Sequence, residues 1–370
     1  MPIKEIKGQN DSPSRLRYLL AAILGAVAFF IAFPAYILDP TNLEWVYPHR
    51  APTYYAGDFH THYLGWLFLR QSPWSFPLGS ISNYVAPLPT YIAYTDSIPL
   101  MAFPLRTLSD FLPADFQYLG FWAFLCLVLQ GIFSLRLLNV WIKDRFCLAI
   151  GVALLTFSPV LIFRYNHTAL LSHWLLLWSL VVVQETFIRS RQSTLTKVPV
   201  LTPIIIISLA TLIQPYLAAM VAGICWALPL GLFLSDRKDS VGSSLSRWLK
   251  LGLVTVAYII PMGTLLFAFG FLNGPSGTVG FHFFGTDVFS LFNNYGTSSF
   301  IPKFRNKRGL YEGFAWPGLG VWILIGASLM PRPRRALKHW LSSPYIKACL
   351  ITVGLMWFFA LSENIHFFSF

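Results

Sequence analysis

The sequence predicts an all-α integral membrane protein, a polytopic bundle of about nine transmembrane helices with interfacial helices in a long first outer loop. Three observations carry this. Of 370 residues, 55% are hydrophobic and only 11% charged, with a mean hydropathy of +0.59. Apolar runs recur near the roughly 20 residues that cross a hydrocarbon core, not in the ten-residue alternation of an outer-membrane barrel. Lys and Arg also divide unequally between alternate connecting segments.

In order, spans are expected at 17–37, 117–140, 147–164, 168–188, 198–214, 216–235, 250–272, 315–330 and 347–363. The first resembles a signal peptide, but no small-x-small cleavage site follows it in Phe33-Pro34-Ala35-Tyr36, so it reads as a retained helix. The fifth and sixth are parted only by Gln214-Pro215-Tyr216, a proline turn. Cys126, Cys147, Cys225 and Cys349 lie in or beside spans, at spacings that suit neither a disulfide framework nor a zinc site.

With the N-terminus inside, inner segments hold 19 of the 27 Lys and Arg and outer segments nine of the fifteen acids. The inner face then carries +13 and the outer −1, as the positive-inside rule requires. The pI of about 9.6 therefore reflects topology, and no nucleic-acid partner is needed to explain it. The expected location is a bacterial cytoplasmic membrane, crossed many times, with the N-terminus cytoplasmic.

Inner loops are short and basic, whereas two outer segments, 38–116 and 273–314, are long and rich in candidate functional residues. The first holds Trp45, Tyr47, Tyr54, Tyr55, Tyr63, Trp66, Trp74 and Tyr84, rings that favour the headgroup boundary, so it is expected to lie on the membrane. A helix over Asp58–Arg70 gathers Asp58, Thr61, His62 and Gly65 on a narrow polar strip and turns His60 away. The stretch Tyr91 to Leu108 is apolar, but counting it as a span would invert the later charge pattern, so it reads as re-entrant or interfacial. Further polar sites are Phe163-Arg164-Tyr165-Asn166-His167, with His173 beyond, and the run from Phe281 through Arg305 to Glu312.

Candidate roles follow from residue chemistry. Asp58 precedes an apolar run, so it can cap a helix or act as a carboxylate base; both readings stay open. His60 and His62 alternate with Asp58, but no fourth metal ligand is identifiable. On one helix His167 and His173 would fall on different faces, a poor metal pair. Asp96 and Glu312 can orient hydroxyls or hold a divalent cation, since carboxylates in a dry setting need a partner. Gly-x-x-x-x-Gly-Lys-Ser/Thr, Gly-x-Gly-x-x-Gly and His-Glu-x-x-His are absent, which removes support for ATP-driven transport, dinucleotide chemistry and a zincin protease.

The long first outer loop bearing an acid resembles the GT-C superfamily, the membrane glycosyltransferases that use polyprenyl-phosphate-linked sugars. The segments Gly57-Asp58 through Gly65-Trp66, Tyr94-Thr95-Asp96-Ser97-Ile98-Pro99-Leu100, His167 to His173-Trp174, and Tyr311-Glu312-Gly313-Phe314 are similar to a largely uncharacterised bacterial family of that type. The resemblance implies one GT-C-like domain over 1–370, with a further outer-face region expected beyond Phe370. It also implies an outward-facing active site that transfers sugar from a polyprenyl-phosphate donor to an envelope glycan, lipid or protein acceptor. Asp58 is then the base, with His62, Asp96, Arg164, His167, Arg305 and Glu312 at the substrates and surrounding membrane lipids. The alternatives are a lipid-linked saccharide flippase, with polar residues at mid-span, or a non-catalytic subunit of an envelope-polysaccharide assembly.

Overall fold

A computed structural model describes residues 13–47, 58–191, 199–235, 243–273, 285–302, 310–329 and 341–361. The first half contains α1 (Arg15–Ala32), α2 (Asp58–Gln71), a hairpin of β1 (Ser80–Val85) and β2 (Leu88–Tyr91), α3 (Pro99–Thr107), α4 (Leu119–Leu138), α5 (Arg145–Thr156) and α6 (Pro159–Ile162). After it come α7 (Trp174–Arg191), α8 (Leu201–Thr211), α9 (Pro215–Ser235), α10 (Ser243–Ala268), α11 (Leu319–Leu329) and α12 (Pro344–Ala360).

Among the described residues, five segments are long and apolar enough to cross a membrane: α1, α4, Arg145–Ile162 comprising α5 and α6, α9, and Leu245–Ala268 within α10. Where three of the other spans were expected stand shorter helices, α8 and α11 of 11 residues and α12 of 17. The remaining one, α7, has 18 residues but carries Gln184, Glu185 and Arg189. Along α1, Leu16, Leu20, Ile23, Val27 and Phe30 form an exposed stripe at helical spacing, and Leu245, Leu249, Leu253, Val256 and Ile260 do the same on α10. Apolar stripes of that length are stable against hydrocarbon, not water.

The opposite face of α1, with Ala21, Gly25, Ala28 and Phe29, packs on α4. A Cβ on Gly25 would lie 2.2 Å from the Leu127 carbonyl oxygen, so this close crossing requires a glycine. α4 also contacts α5 and α7, and α9 contacts α7, α8, α10 and α12. Polar side chains act as cross-ties between helices. Arg136 pairs with Glu185 at 2.8 Å, Trp141 donates to Gln184 at 2.5 Å, and Gln130 donates to the Leu155 carbonyl at 3.1 Å.

The segment between α1 and α4 departs from expectation in two respects. It contains a strand pair, with Ser80 opposite Tyr91, Ile81 opposite Thr90 and Val85 opposite Leu88. The alternation in Ser80-Ile81-Ser82-Asn83-Tyr84-Val85 is a period-two signal that an all-helical reading passes over. Secondly, Trp45, Tyr63 and Trp66 are core residues, each 1% exposed, not rings at the headgroup boundary. Their polar edges find protein partners: Trp66 donates to the Phe116 carbonyl at 2.8 Å and Trp45 to the Asn42 carbonyl at 3.1 Å. With those N–H groups satisfied, the rings gain more from burial than from an interface. Trp74 does stay outside, with the Arg106 guanidinium 3.9 Å from its ring centroid. α3, at nine residues, is too short to span.

α2 is therefore inserted among other elements, and Gly65 permits it. A Cβ there would lie 2.0 Å from Thr95 Oγ1 and 2.2 Å from Ser97 Oγ, whereas one on Gly252 would meet nothing within 4 Å. Gly65→Ala is expected to cost about 1–3 kcal/mol through overpacking. In thermal unfolding of the detergent-solubilised protein it should melt below wild type while Gly252→Ala does not. Equal melting of the two variants would contradict the contact of α2 with the 95–97 turn.

Candidate functional site

Four separate segments deliver polar side chains to one end of α2. Asp58 and His62 lie one turn apart on α2 itself. Asp96 lies in the turn between the short 3₁₀ helix Ile92–Tyr94 and α3. Arg164 and His167 belong to the break between α6 and α7, and Glu312 to the 3₁₀ turn Leu310–Gly313.

The Asp96 turn is held in an unusual conformation. Asp96 and Ile98 have φ of 51° and 49°. Aspartate tolerates the left-handed region, but a β-branched isoleucine there costs on the order of 1–3 kcal/mol. Its surroundings fix it: Ser97 Oγ donates to the His62 carbonyl at 2.6 Å, Tyr118 OH donates to the Ser97 carbonyl, and Leu100 N–H donates to the Leu212 carbonyl at 2.8 Å. Pro99 then opens α3 at a position where no N–H is needed.

The two histidines near α7 separate for a different reason from the one expected. The chain leaves the helix at Ile162 and re-enters one only at Trp174, so helical angles do not apply between them. The break carries His167 to Asp96, with Nε2 3.1 Å from Oδ2. His173 is not part of that group.

His62 is 1% exposed and turns inward, whereas Asp58 and Thr61 on the same strip stay exposed. Its Nδ1 lies 2.9 Å from Thr168 Oγ1, and its ring meets that of His167 edge-on at 4.9 Å between centroids. The second Asp96 oxygen, Oδ1, accepts a hydrogen bond from Gln214 Nε2 at 2.7 Å. One ligand-type atom from each of His62, Asp96 and His167 lies within 4.8 Å of the others, making this trio the group that could hold a metal among the described residues. His60, as expected, points elsewhere, with Nδ1 3.2 Å from the Val46 carbonyl.

Glu312 belongs to a second arrangement. Its carboxylate accepts from Arg164 Nη1 at 2.5 Å and its carbonyl from Nη2 at 2.5 Å. Sequence left Asp96 and Glu312 interchangeable; the structure gives one to histidines and the other to arginine. Asp58, Arg164, His167 and Glu312 line a cavity of about 800 Å³ whose apolar walls include Phe163, Phe300, Trp316 and Leu319. Asp58 is the first residue of α2, and among the described residues its carboxylate makes no capping hydrogen bond.

Charges within the site are mutually dependent. For Asp58, burial among protein atoms raises the pKa, and the lowering by His167 does not offset it. For Asp96, burial favours the neutral acid, but the hydrogen bond and charge of His167, then His62 and Gln214, outweigh it and lower the pKa. Burial likewise opposes protonation of His167, yet its hydrogen bond to Asp96 and the charges of Asp96 and Asp58 raise its pKa overall. His62 is pushed down to about 3 by burial and then by His167, which leaves it neutral.

Arg305 lies outside the described residues. Two other arginines are structural: Arg70 donates to the carbonyls of Ser109, Leu112 and Pro113, and Arg106 to that of Ser72. Sequence reasoning missed Gln214 and Thr168. Gln214 was read only as part of a proline turn, although an amide between two apolar helices is itself a signal of an internal polar partner. Thr168 offered no signal.

A family profile described as a domain of unknown function, DUF6311, matches residues 22–369, and the chain belongs to that family. No curated protein and no solved structure matches it.

Gln214→Leu removes the donor to the part-buried Asp96 Oδ1 and is expected to destabilise the protein by about 1 kcal/mol through the lost hydrogen bond. Thermal unfolding at neutral pH measures this. An unchanged melting temperature would show that the amide does not support Asp96.

Proposed function

We propose that this member of the DUF6311 family is a membrane glycosyltransferase. It transfers a sugar from a polyprenyl-phosphate-linked donor to an envelope glycan, lipid or protein acceptor on the outer face of a bacterial cytoplasmic membrane. The observation that carries this reading is the cavity shared by Asp58, Arg164, His167 and Glu312, which joins a carboxylate and cationic groups to aromatic and aliphatic walls. Such a lining suits a substrate with a polar head and a lipid tail.

In the proposed step the acceptor hydroxyl oxygen attacks the anomeric carbon and its proton passes to the Asp58 carboxylate. The bond from that carbon to the phosphate oxygen breaks, and the lipid phosphate leaves with the electron pair. Negative charge gathers on the departing phosphate, where Arg164 provides N–H donors and His167, whose pKa is raised by Asp96, adds favourable charge nearby. Two of the five guanidinium donors of Arg164 are spent on Glu312, which orients the group and leaves three. The resemblance to GT-C enzymes supports the same reaction class. The flippase alternative is less favoured, because Gln130, Gln184 and Glu185 each make a tie to a neighbouring segment and the polar groups of the candidate site gather at one end of α2.

Asp58→Asn should abolish transfer from a polyprenyl-phosphate sugar, by at least about 100-fold, in a protein that still elutes and melts as wild type. In the wild type the rate should rise with pH as Asp58 loses its proton, with a midpoint above the ordinary aspartate value of about 3.9 because burial raises its pKa. Undiminished turnover by Asp58→Asn would remove Asp58 as the base.

A further inference from the structure

We propose that His62, Asp96 and His167 form a binding site for a single divalent transition-metal ion of the zinc type. This inference stands apart from the reaction class proposed above.

One donor atom from each residue lies within 4.8 Å of the other two, and His167 and Asp96 already approach to 3.1 Å. Ligand bonds of about 2.0–2.2 Å place two donors on a common ion roughly 3–4 Å apart, so closure asks for side-chain movements of about 1 Å. The three residues come from α2, from the turn before α3 and from the break before α7, so the site exists only in the folded chain.

The atoms behind the donors are arranged as metal ligands require. The hydrogen bond of Thr168 Oγ1 with His62 Nδ1 at 2.9 Å fixes that ring and leaves Nε2 for an ion. Gln214 occupies Oδ1 of Asp96 and leaves Oδ2, the oxygen that faces His167. Ser97 Oγ, bonded to the His62 carbonyl at 2.6 Å, ties the two ligand-bearing segments together. An ion here takes the place of the proton shared by His167 and Asp96. The contact given up is the long one, 3.4 Å, from the Leu170 N–H to His167 Nδ1.

The donor set selects the class of ion. Magnesium and calcium favour shells of oxygen, whereas two imidazoles with a carboxylate suit zinc and its neighbours. Three protein ligands also leave a coordination position open, the pattern of catalytic rather than structural zinc. His167 lines the cavity that holds Asp58 and Arg164, so an ion bound to it would bring positive charge to that end of the cavity.

The test uses the full chain purified in detergent, stripped with chelator and reloaded with zinc, its metal content read by mass spectrometry. Cobalt loading supplies a second readout through its visible absorption. Wild type should retain one ion per chain after desalting and show a cobalt spectrum of mixed nitrogen and oxygen ligation. His167→Ala should retain none, and Thr168→Val should weaken zinc affinity about 10–100-fold, as loss of a supporting bond does. Asp58→Asn should keep the ion, which separates this inference from the catalytic one. A folded wild type that retains no zinc and gives no ligand-field spectrum overturns the proposal. So does retention in a folded His167→Ala at the wild-type level. Should His167→Ala fail to fold, an unaltered affinity in Thr168→Val overturns it instead.

Discussion

A carboxylate partly withdrawn from water keeps its charge where other groups replace the water it has lost, and Asp96, with 31% of its side chain still exposed, sets that demand here. His167 and Gln214, 71 and 118 residues away in sequence, meet it. Much of the local architecture serves this meeting. The helix between Ile162 and Trp174 is broken so that His167 can turn inward, and α8 ends before Gln214 so that its amide can reach Oδ1. The backbone at Asp96 and Ile98 is held left-handed, and Gly65 leaves room for the turn beside α2.

The same constraint separates the two halves of the site. Asp96 is bound by His167 and Gln214 beside α2, whereas Glu312 is held by Arg164 at the cavity wall. Asp58, which has no such partner among the described residues, lines the cavity with a raised pKa, and under the proposed function it is the carboxylate that accepts a proton from a bound hydroxyl. Under the proposed function, one set of charges orders the protein while the other meets substrate.

How far the sequence foretold this depended on range. Apolar runs marked the membrane helices, and the polar strip through Asp58 and His62 was legible because helical period is a local property. What the strip faced was not: the rings of Trp45, Tyr63 and Trp66 looked interfacial until their N–H and packing partners placed them in the core. The β1–β2 hairpin did leave a local trace, the alternation from Ser80 to Val85, which an all-helical reading passes over. Asp96, Arg164, His167 and Glu312 were singled out by being ionisable in dry surroundings, yet their pairing is a tertiary fact. Thr168 was invisible for the same reason, since a neutral residue gains meaning only from what it touches, whereas Gln214 signalled an internal partner without saying which.

The proposal that the cavity joins a lipid-borne sugar to an acceptor is tested most directly by the lipids of a strain lacking the gene. Extracted and identified by mass spectrometry, they should show a polyprenyl-phosphate sugar accumulating, cleared by wild-type protein and not by Asp58→Asn. A lipid-linked saccharide profile unchanged by the deletion, or one restored equally by Asp58→Asn, would contradict it.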